Sequence, residues 1–128
     1  MTVLLDTHAL LWLTENSPRL SDSARAIITD TSNRALYSVA SLWEMTIKVG
    51  LRKLTMRRPL DVMFSELEGS AMELRLPVLT PHLLEYARLP LYHRDPFDRM
   101  IIAQAMSEGL TVVGNDDVFD AYGVPRIW

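Results

Sequence analysis

Short apolar runs alternate with amphipathic segments along this chain, and acidic residues mark four of the boundaries between them. The four acids are Asp6, Glu44, Asp98 and Asp116. In an open α/β sheet, such boundaries meet in one crevice at the carboxyl ends of the strands. Carboxylates gathered there repel one another unless protons or a cation compensate. The pattern therefore predicts a divalent-metal site at one edge of an α/β sheet.

The same alternation predicts the secondary structure. Strands are expected at residues 2–5, 34–39, 76–79, 111–113 and 126–128, and helices at 7–14, 22–31, 41–49, 59–73, 81–88, 96–108 and 117–122. Strands that alternate with helices form βαβ units, which build a mainly parallel sheet with helices on both faces. At 128 residues, the chain has the length of one α/β domain spanning residues 1–128.

Composition removes several classes of function. The absence of cysteine excludes disulfides, thiolate metal sites and a cysteine nucleophile, and it fits a reducing cytoplasm. No stretch approaches the ~20 apolar residues of a membrane span, and the N-terminus lacks a signal-peptide pattern. We therefore expect a cytoplasmic protein with no membrane partner. The net charge of −3 gives no global attraction to nucleic acid.

Basic residues are concentrated in one stretch between residues 48 and 58, the basic strip, which contains no acid. Its members are Lys48, Arg52, Lys53, Arg57 and Arg58. A local basic surface beside an acidic pocket can hold a polyanion near a metal ion. The pattern is equally typical of a solvated helix end and loop, and the sequence leaves both interpretations open.

Three of the acids also have simple structural explanations. Asp6 can cap the helix that starts at residue 7, because Asp is a favoured N-cap residue. Ser41 and Glu44 fit a capping box, in which the Glu side chain accepts from the Ser backbone N–H. Asp116 lies in a turn-rich run. Each explanation is adequate for one acid, but none explains why all four acids lie where a strand ends or a helix begins.

Asp98 is harder to explain by capping alone. Asp95 can cap the helix that begins at Pro96, so a second acid in that first turn invites another explanation. Oxygen ligands without a His or Cys cluster suit hard cations such as Mg²⁺ or Mn²⁺. The histidines, which are His8, His82 and His93, lack the spacing of a zinc site.

Four segments of the chain resemble the PIN-domain nucleases, and within them the VapC-type toxins of bacterial toxin–antitoxin pairs. The segments are 4–12, 38–44, 93–105 and 116–128, and the most specific match is Asp95-Pro96-Phe97-Asp98-Arg99 together with Asp6-Thr7-His8. In order and spacing, the segments span nearly the whole chain. By position, Asp6, Glu44 and Asp98 match the family's acidic triad, and Asp116 matches its more variable fourth acid.

The resemblance implies a fold, an activity and partners. The fold is a three-layer α/β/α domain with a mainly parallel central sheet. The activity is that of an endoribonuclease that depends on Mg²⁺ or Mn²⁺ and hydrolyses RNA. The partners are a small antitoxin protein and a second copy of the chain, in a homodimer or in a heterotetramer or larger assembly with the antitoxin.

The resemblance also assigns roles to the acids. Asp6 and Asp98 are expected to hold the metal, Glu44 to complete its shell and orient the attacking water, and Asp116 to support a second ion. The basic strip and Arg99 are candidates for phosphate contacts. One position departs from the family pattern, because members often have Thr or Ser where this chain has Gly114. The second-metal site therefore lacks a hydroxyl that could orient water.

Two other functional classes compete with a nuclease. A PIN-like fold that has lost catalysis could act as a protein-interaction module, although such a module would be expected to lose one or more acids. A Mg²⁺-dependent phosphatase or receiver-type domain shares the acidic crevice. A haloacid-type phosphatase would have an acid at the position of His8, and a receiver would have a lysine after Lys53. The chain has neither.

Overall fold

Five parallel strands form one sheet at the centre of the fold, in a computed structural model that describes residues 1–70 and 73–128. The strands are β1 (Thr2–Leu5), β2 (Arg34–Ser38), β3 (Glu73–Leu76), β4 (Thr111–Val113) and β5 (Arg126–Ile127). Their order across the sheet is β3-β2-β1-β4-β5, and every neighbouring pair is parallel. The predicted α/β fold with a mainly parallel sheet is confirmed.

Helices cover both faces of this sheet. They are α1 (Thr7–Thr14), α2 (Asp22–Thr29), α3 (Val39–Gly50), α4 (Leu60–Gly69), α5 (Thr80–Arg88), α6 (Pro96–Glu108) and α7 (Val118–Ala121). Successive residues of β1 point to opposite faces, so Val3 and Leu5 pack into one core with residues of α1 to α4, and Leu4 packs into a second core with residues of α6 and α7. The result is the three-layer α/β/α arrangement that the resemblance implied.

The start of α3 differs from the prediction, and the difference concerns a candidate site residue. The helix begins at Val39, directly after β2, and the hydroxyl of Ser38 caps it by accepting from the Ala40 N–H at 3.0 Å. Ser41 is therefore the third residue of the helix and not its N-cap, and Glu44 lies in the helix interior, beyond the N3 position that a capping box requires. The predicted capping box is wrong, and Glu44 has no capping role.

Strand β3 also lies earlier in the chain than predicted. It spans Glu73–Leu76, with Leu76 paired to Ser38, and it forms an edge of the sheet as expected. The apolar residues that follow are not strand, because Pro77 has no N–H to give to a ladder. The predicted helix 59–73 is observed only to Gly69, and its residues 71 and 72 lie outside the described part of the chain.

The topology creates one crevice. From β1 the chain builds the sheet outward through β2 and β3 on one side, and through β4 and β5 on the other. Ligands of open α/β sheets bind where the direction of strand order changes, at the carboxyl ends of the strands. Asp6 occupies that position, with its backbone N–H bound to the carbonyl of Val113 at 3.0 Å. Within the described residues, no helix is both long and apolar enough to cross a membrane.

Candidate metal centre

Asp6 combines a capping role with a position in the crevice. Its Oδ1 accepts a hydrogen bond from the Ala9 N–H at 2.7 Å, which caps α1 as predicted. Only 4% of the residue is exposed. Its other oxygen, Oδ2, points at the backbone of Gly114 on the neighbouring strand connection. One carboxylate therefore stabilises the helix with one oxygen and keeps the second beside β4.

Glu44 lies in the same buried region, projected from the interior of α3. It is 4% exposed, and its Oε2 forms an ion pair with Lys48 Nζ at 2.5 Å. Its Oε1 is buried and has no hydrogen-bond partner among the described residues. A buried carboxylate oxygen without a partner is unfavourable, which marks this atom as an acceptor that a ligand or cation would satisfy.

Asp98 is free of capping duty, because Asp95 performs it. The Oδ1 of Asp95 accepts hydrogen bonds from the N–H groups of Phe97 at 2.8 Å and Asp98 at 3.0 Å. The half-buried carboxylate of Asp98 instead contacts the side chain of His93, with 2.8 Å between its Oδ2 and the imidazole Nε2. The second acid of this turn is therefore not used as a helix cap, and its carboxylate contacts a side chain instead.

Asp116 is more peripheral than the other three acids. Its side chain is exposed, and its Oδ1 accepts a hydrogen bond from the Val118 N–H at 3.0 Å in the turn before α7. Its charge nevertheless raises the pKa of Asp6, so it belongs to the same electrostatic environment.

The electrostatics of Asp6 show that the acids share one field. The pKa of Asp6 is raised to about 7, mostly by burial and additionally by the charges of Asp98, Asp116 and Glu44, against the lowering effect of the hydrogen bond from Ala9. The pKa of Asp98 is also raised by burial, against the hydrogen bond from His93. Three acids that are far from Asp6 in sequence therefore lie close enough to it to disfavour its ionisation.

The donor chemistry of this crevice fits a hard divalent cation. Carboxylate oxygens are the ligands that Mg²⁺ and Mn²⁺ prefer, and the unsatisfied oxygen of Glu44 is such a ligand. In residues 1–70 and 73–128, no three Asp, Glu or His side chains already form a ready ligand set. Lys48 instead forms an ion pair with Glu44, and the imidazole of His93 binds the carboxylate of Asp98, so Lys48 supplies part of the positive charge that the acids need.

Lys48 and His93 were not recognised from the sequence as partners of the acids. Lys48 lies four residues after Glu44 on one helix, and that spacing could have revealed the ion pair. The pairing also raises the pKa of Lys48, through its hydrogen bond with Glu44. His93 lies in a loop, where no periodicity relates it to Asp98, so only the folded chain reveals this contact.

Gly114 fits the crevice because it has no side chain. A Cβ at this position would lie 2.5 Å from Asp6 Oδ2 and 2.8 Å from its Cγ. These distances are shorter than real Cβ contacts, so any other residue would displace the Asp6 carboxylate. Where the family often has Thr or Ser, this chain has Gly114, because the Asp6 carboxylate fills the space that a side chain at that position would occupy.

The basic strip divides into paired and unpaired residues. Lys48 is bound to Glu44, while Arg58 pairs with Glu66 and donates to the carbonyl of Thr14 at 3.0 Å. In the described structure, the exposed side chains of the other three members form no hydrogen bond or ion pair; they are Arg52, Lys53 and Arg57. These three are the members of the strip that remain available to a polyanion.

Arg99 is committed to the fold. It is 7% exposed, and its guanidinium donates to the carbonyls of Pro90 at 3.0 Å and His93 at 3.1 Å. Its carbon Cζ also lies 4.9 Å from the centre of the Tyr86 ring. Burial and these contacts leave the guanidinium no access to a phosphate, so we remove Arg99 from the candidate RNA contacts.

The contact between Gly114 and Asp6 can be tested by a double-mutant cycle. We expect Gly114→Ala to lower the free energy of unfolding by about 2 kcal/mol, because the new Cβ pushes the Asp6 carboxylate out of its capping position. In an Asp6→Ala background the same change should cost much less. Urea unfolding measures both. Gly50→Ala is the control, since a Cβ there meets no atom within 4 Å. Equal losses in both backgrounds would contradict the clash.

The raised pKa of Asp6 predicts how stability depends on pH. In the metal-free protein, the native state holds a proton on Asp6 that the unfolded chain loses above pH 3.8, so stability falls as pH rises from about 4 to 7. Asp6→Asn keeps an oxygen to cap α1 and removes this penalty. We expect it to be more stable than the wild type by about 3 kcal/mol at pH 8 and nearly equal at pH 4.

Thermal or urea unfolding between pH 4 and 8 measures this difference, with Asp30→Asn as the control of opposite sign. Hydrogen bonds from the backbone and side chain of Ser32 lower the pKa of Asp30, so its charge contributes stability that is lost as pH falls below about 4. Replacing Asp30 should therefore lower stability at neutral pH. An Asp6→Asn variant that is less stable than wild type at pH 8 would contradict the buried-acid account.

Comparison with known proteins places this geometry in a family. The family model described as PIN domain matches residues 3–125. The comparison with curated proteins found no match.

Several solved structures have the same fold. The chain is similar to VapBC2 from Rickettsia felis bound to a promoter DNA fragment, with a TM-score of 0.71, 16% identity, and 99% of this chain and 98% of that chain covered. It is similar to VapC20 of Mycobacterium tuberculosis, described as a sarcin–ricin loop cleaving toxin, with a TM-score of 0.72, 15% identity and 98% of each chain covered. It is also similar to DNA-bound VapBC from Salmonella typhimurium, with a TM-score of 0.70, 20% identity, and 99% of this chain and 97% of that chain covered.

At these identities, the solved structures show a shared fold, and the family assignment comes from the family model. Because that model matches nearly the whole length of the chain, and because the crevice at the ends of β1 and β4 has the acids that the resemblance required, one assignment follows. The chain belongs to the PIN-domain family.

Proposed function

We propose that this protein is a metal-dependent endoribonuclease that acts as the toxin of a toxin–antitoxin pair. The observation that carries the proposal is the buried acidic crevice, in which burial and three neighbouring acids raise the pKa of Asp6 to about 7. Capping of α1 by Asp6 does not require three further acids beside it, whereas such a group of acids is suited to a divalent cation. Membership of the PIN-domain family and the similarity to VapC toxins support a nuclease.

The proposed metal ligands are Asp6, Asp98 and Glu44, with Asp116 at the exposed side of the crevice as support for a second ion. A bound Mg²⁺ or Mn²⁺ lowers the pKa of water and offsets the charge of the phosphate. Asp6 and Glu44 are almost completely buried, so the site keeps bulk water away from these ligands.

Protein side chains would orient the reactants. Glu44 has one oxygen fixed by Lys48 and one oxygen free to accept a hydrogen bond from the attacking water. His93 holds one oxygen of Asp98 and so limits the orientations of that carboxylate. In the proposed hydrolysis, the water oxygen bonds to phosphorus, the bond to the 3′ oxygen breaks, and that oxygen leaves with a proton. The products carry 5′-phosphate and 3′-hydroxyl ends.

An exposed apolar surface supports protein partners. A groove of about 360 Å³ is lined by Ala40, Trp43, Val78, Leu83, Tyr86, Pro96, Phe97 and Met100. Trp43 and Leu83 are more than half exposed, which is unusual for large apolar side chains on a protein without partners. We propose an antitoxin and a second copy of the chain as partners in the cytoplasm. The VapBC structures that resemble this chain are named as two-component complexes.

A second candidate is a PIN-domain interaction module without catalysis. The ion pair of Glu44 with Lys48 and the contact of Asp98 with His93 favour it, because acids whose oxygens already have side-chain partners have less need of a cation. The two candidates differ in metal binding, since a module without catalysis should bind no Mn²⁺ that depends on Asp6.

The first prediction from the proposed function concerns RNA cleavage. Purified protein without its partner should cleave RNA with Mg²⁺ or Mn²⁺ and not with EDTA, and Asp6→Asn should lower the rate by roughly a hundredfold or more. Gel analysis and the chemistry of the new ends measure this. Equal cleavage by both proteins would indicate a contaminant, and a 2′,3′-cyclic phosphate made equally well in EDTA would rule the mechanism out.

The second prediction concerns the unpaired residues of the basic strip. If Arg52 and Lys53 contact phosphates, replacing both by Ala should reduce the slope of log K against log salt for single-stranded RNA by about 1.4. Arg75→Ala is the matched control, because its guanidinium already pairs with Glu68 at 3.2 Å. Titrations by fluorescence anisotropy at several salt concentrations measure the slopes. An unchanged slope would mean that the strip is a solvated surface that does not contact RNA.

A further inference from the structure

The loop between α5 and α6, residues 89–95, which we call the rim loop, has a firmly held backbone. The hydroxyl of Tyr122 accepts hydrogen bonds from the N–H groups of Tyr92 at 3.1 Å and His93 at 3.0 Å, and it donates to the carbonyl of Pro90 at 2.7 Å. The buried guanidinium of Arg99 also donates to the carbonyls of Pro90 and His93, and to the Tyr122 hydroxyl at 3.1 Å. The rim loop is therefore a fixed support.

Two side chains on this fixed backbone, those of Tyr92 and Arg94, are exposed. Tyr92 is 66% exposed, and its ring lies against Tyr122 with 5.1 Å between the ring centres. Arg94 is exposed, and its side chain forms no hydrogen bond or ion pair within residues 1–70 and 73–128. The fold thus holds an aromatic ring and a cation in solvent, although neither contributes to a core.

The rim loop borders the acidic crevice. His93, which lies between Tyr92 and Arg94 in the chain, contacts the carboxylate of Asp98 at 2.8 Å. The exposed ring and the free guanidinium therefore flank the residue that touches the proposed metal ligand. A polymer whose phosphate occupied the crevice would have the rim loop as one border of its site, because His93 of that loop touches Asp98.

The charge of the crevice makes such contacts necessary. RNA phosphates are repelled by carboxylates, so a substrate must gain affinity from groups outside the acidic cluster. Proteins that hold single-stranded RNA combine stacking of unpaired bases on aromatic rings with cations along the backbone. Tyr92 supplies an aromatic ring and Arg94 supplies a cation, on either side of the residue that contacts Asp98.

We propose that Tyr92 is a stacking platform for an unpaired nucleobase next to the scissile phosphate, and that Arg94 contacts a neighbouring phosphate. This inference rests on the proposed ribonuclease function and specifies its substrate as a single-stranded segment of RNA. A protein partner is a poorer fit for the rim loop, because the larger apolar groove that includes Trp43 and Leu83 offers far more contact surface.

RNA binding by a protein that does not cleave its ligand tests the platform. The parent is the Asp6→Asn variant with Mg²⁺, and the probe is a fluorescein-labelled single-stranded RNA of randomised sequence. Tyr92→Ala should weaken binding roughly tenfold, since stacking on one ring contributes about that much. Tyr92→Phe should bind like the parent, because it keeps the ring. Leu91→Ala is the matched control, an equally exposed neighbour without a ring.

Two further measurements separate stacking from a structural effect. A probe that contains 2-aminopurine should lose fluorescence on binding to the parent and to Tyr92→Phe, and much less on binding to Tyr92→Ala. In the cleaving protein, Tyr92→Ala should raise KM with little change in kcat, because the ring binds the substrate away from the reacting bond. Duplex RNA should bind equally to all variants, since its bases are already stacked.

Several outcomes would overturn the inference. Parent-like binding of single-stranded RNA by Tyr92→Ala would do so, as would an equal loss in Tyr92→Phe or a loss confined to binding of the antitoxin. If the wild type cleaves RNA while Tyr92→Ala behaves like it, the platform is wrong and the nuclease stands. If the wild type neither cleaves nor binds RNA, the proposed function fails and the platform fails with it.

Discussion

The repulsion among carboxylates that one crevice brings together is the constraint on which the site depends. Asp6 follows the central strand, and the topology brings the acids that follow other strands and begin other helices close to it. Burial makes the charge of Asp6 more unfavourable, and it raises the pKa to about 7. Lys48 offsets part of the charge in the metal-free protein, His93 binds the Asp98 carboxylate, and a divalent cation would offset more of the charge.

Different residues cap the helices and line the crevice, so most of the crevice acids are not needed as helix caps. Asp95 caps α6 and frees Asp98, and Ser38 caps α3 so that Glu44 can project from the helix interior. Asp6 serves both purposes because its two oxygens act separately. This division explains why capping explanations that suffice for single acids do not account for the group.

Two residues around the crevice also have structural roles. Gly114 leaves space for the Asp6 carboxylate, and Arg99 uses its charge inside the protein to hold the rim loop. The rim loop carries Tyr92 one residue before His93, which contacts Asp98. Arg99, which adjoins the motif of residues 95–98 in sequence, thus has a structural role. Tyr92, which lies outside that motif, is the residue proposed to contact the substrate.

The sequence by itself determined the α/β fold, the parallel sheet, the Asp6 and Asp95 caps and the set of candidate acids, because these follow from local periodicity, capping chemistry and the position of acids after apolar runs. Only the folded structure decided that Ser38 caps α3, that Arg99 is buried, that His93 binds Asp98, and that Gly114 adjoins Asp6. Most of these depend on contacts between separate elements, which local sequence patterns do not encode. The start of α3 was missed for a related reason, since Ser38 ends a strand and caps a helix at once, and a local pattern assigns it only one role.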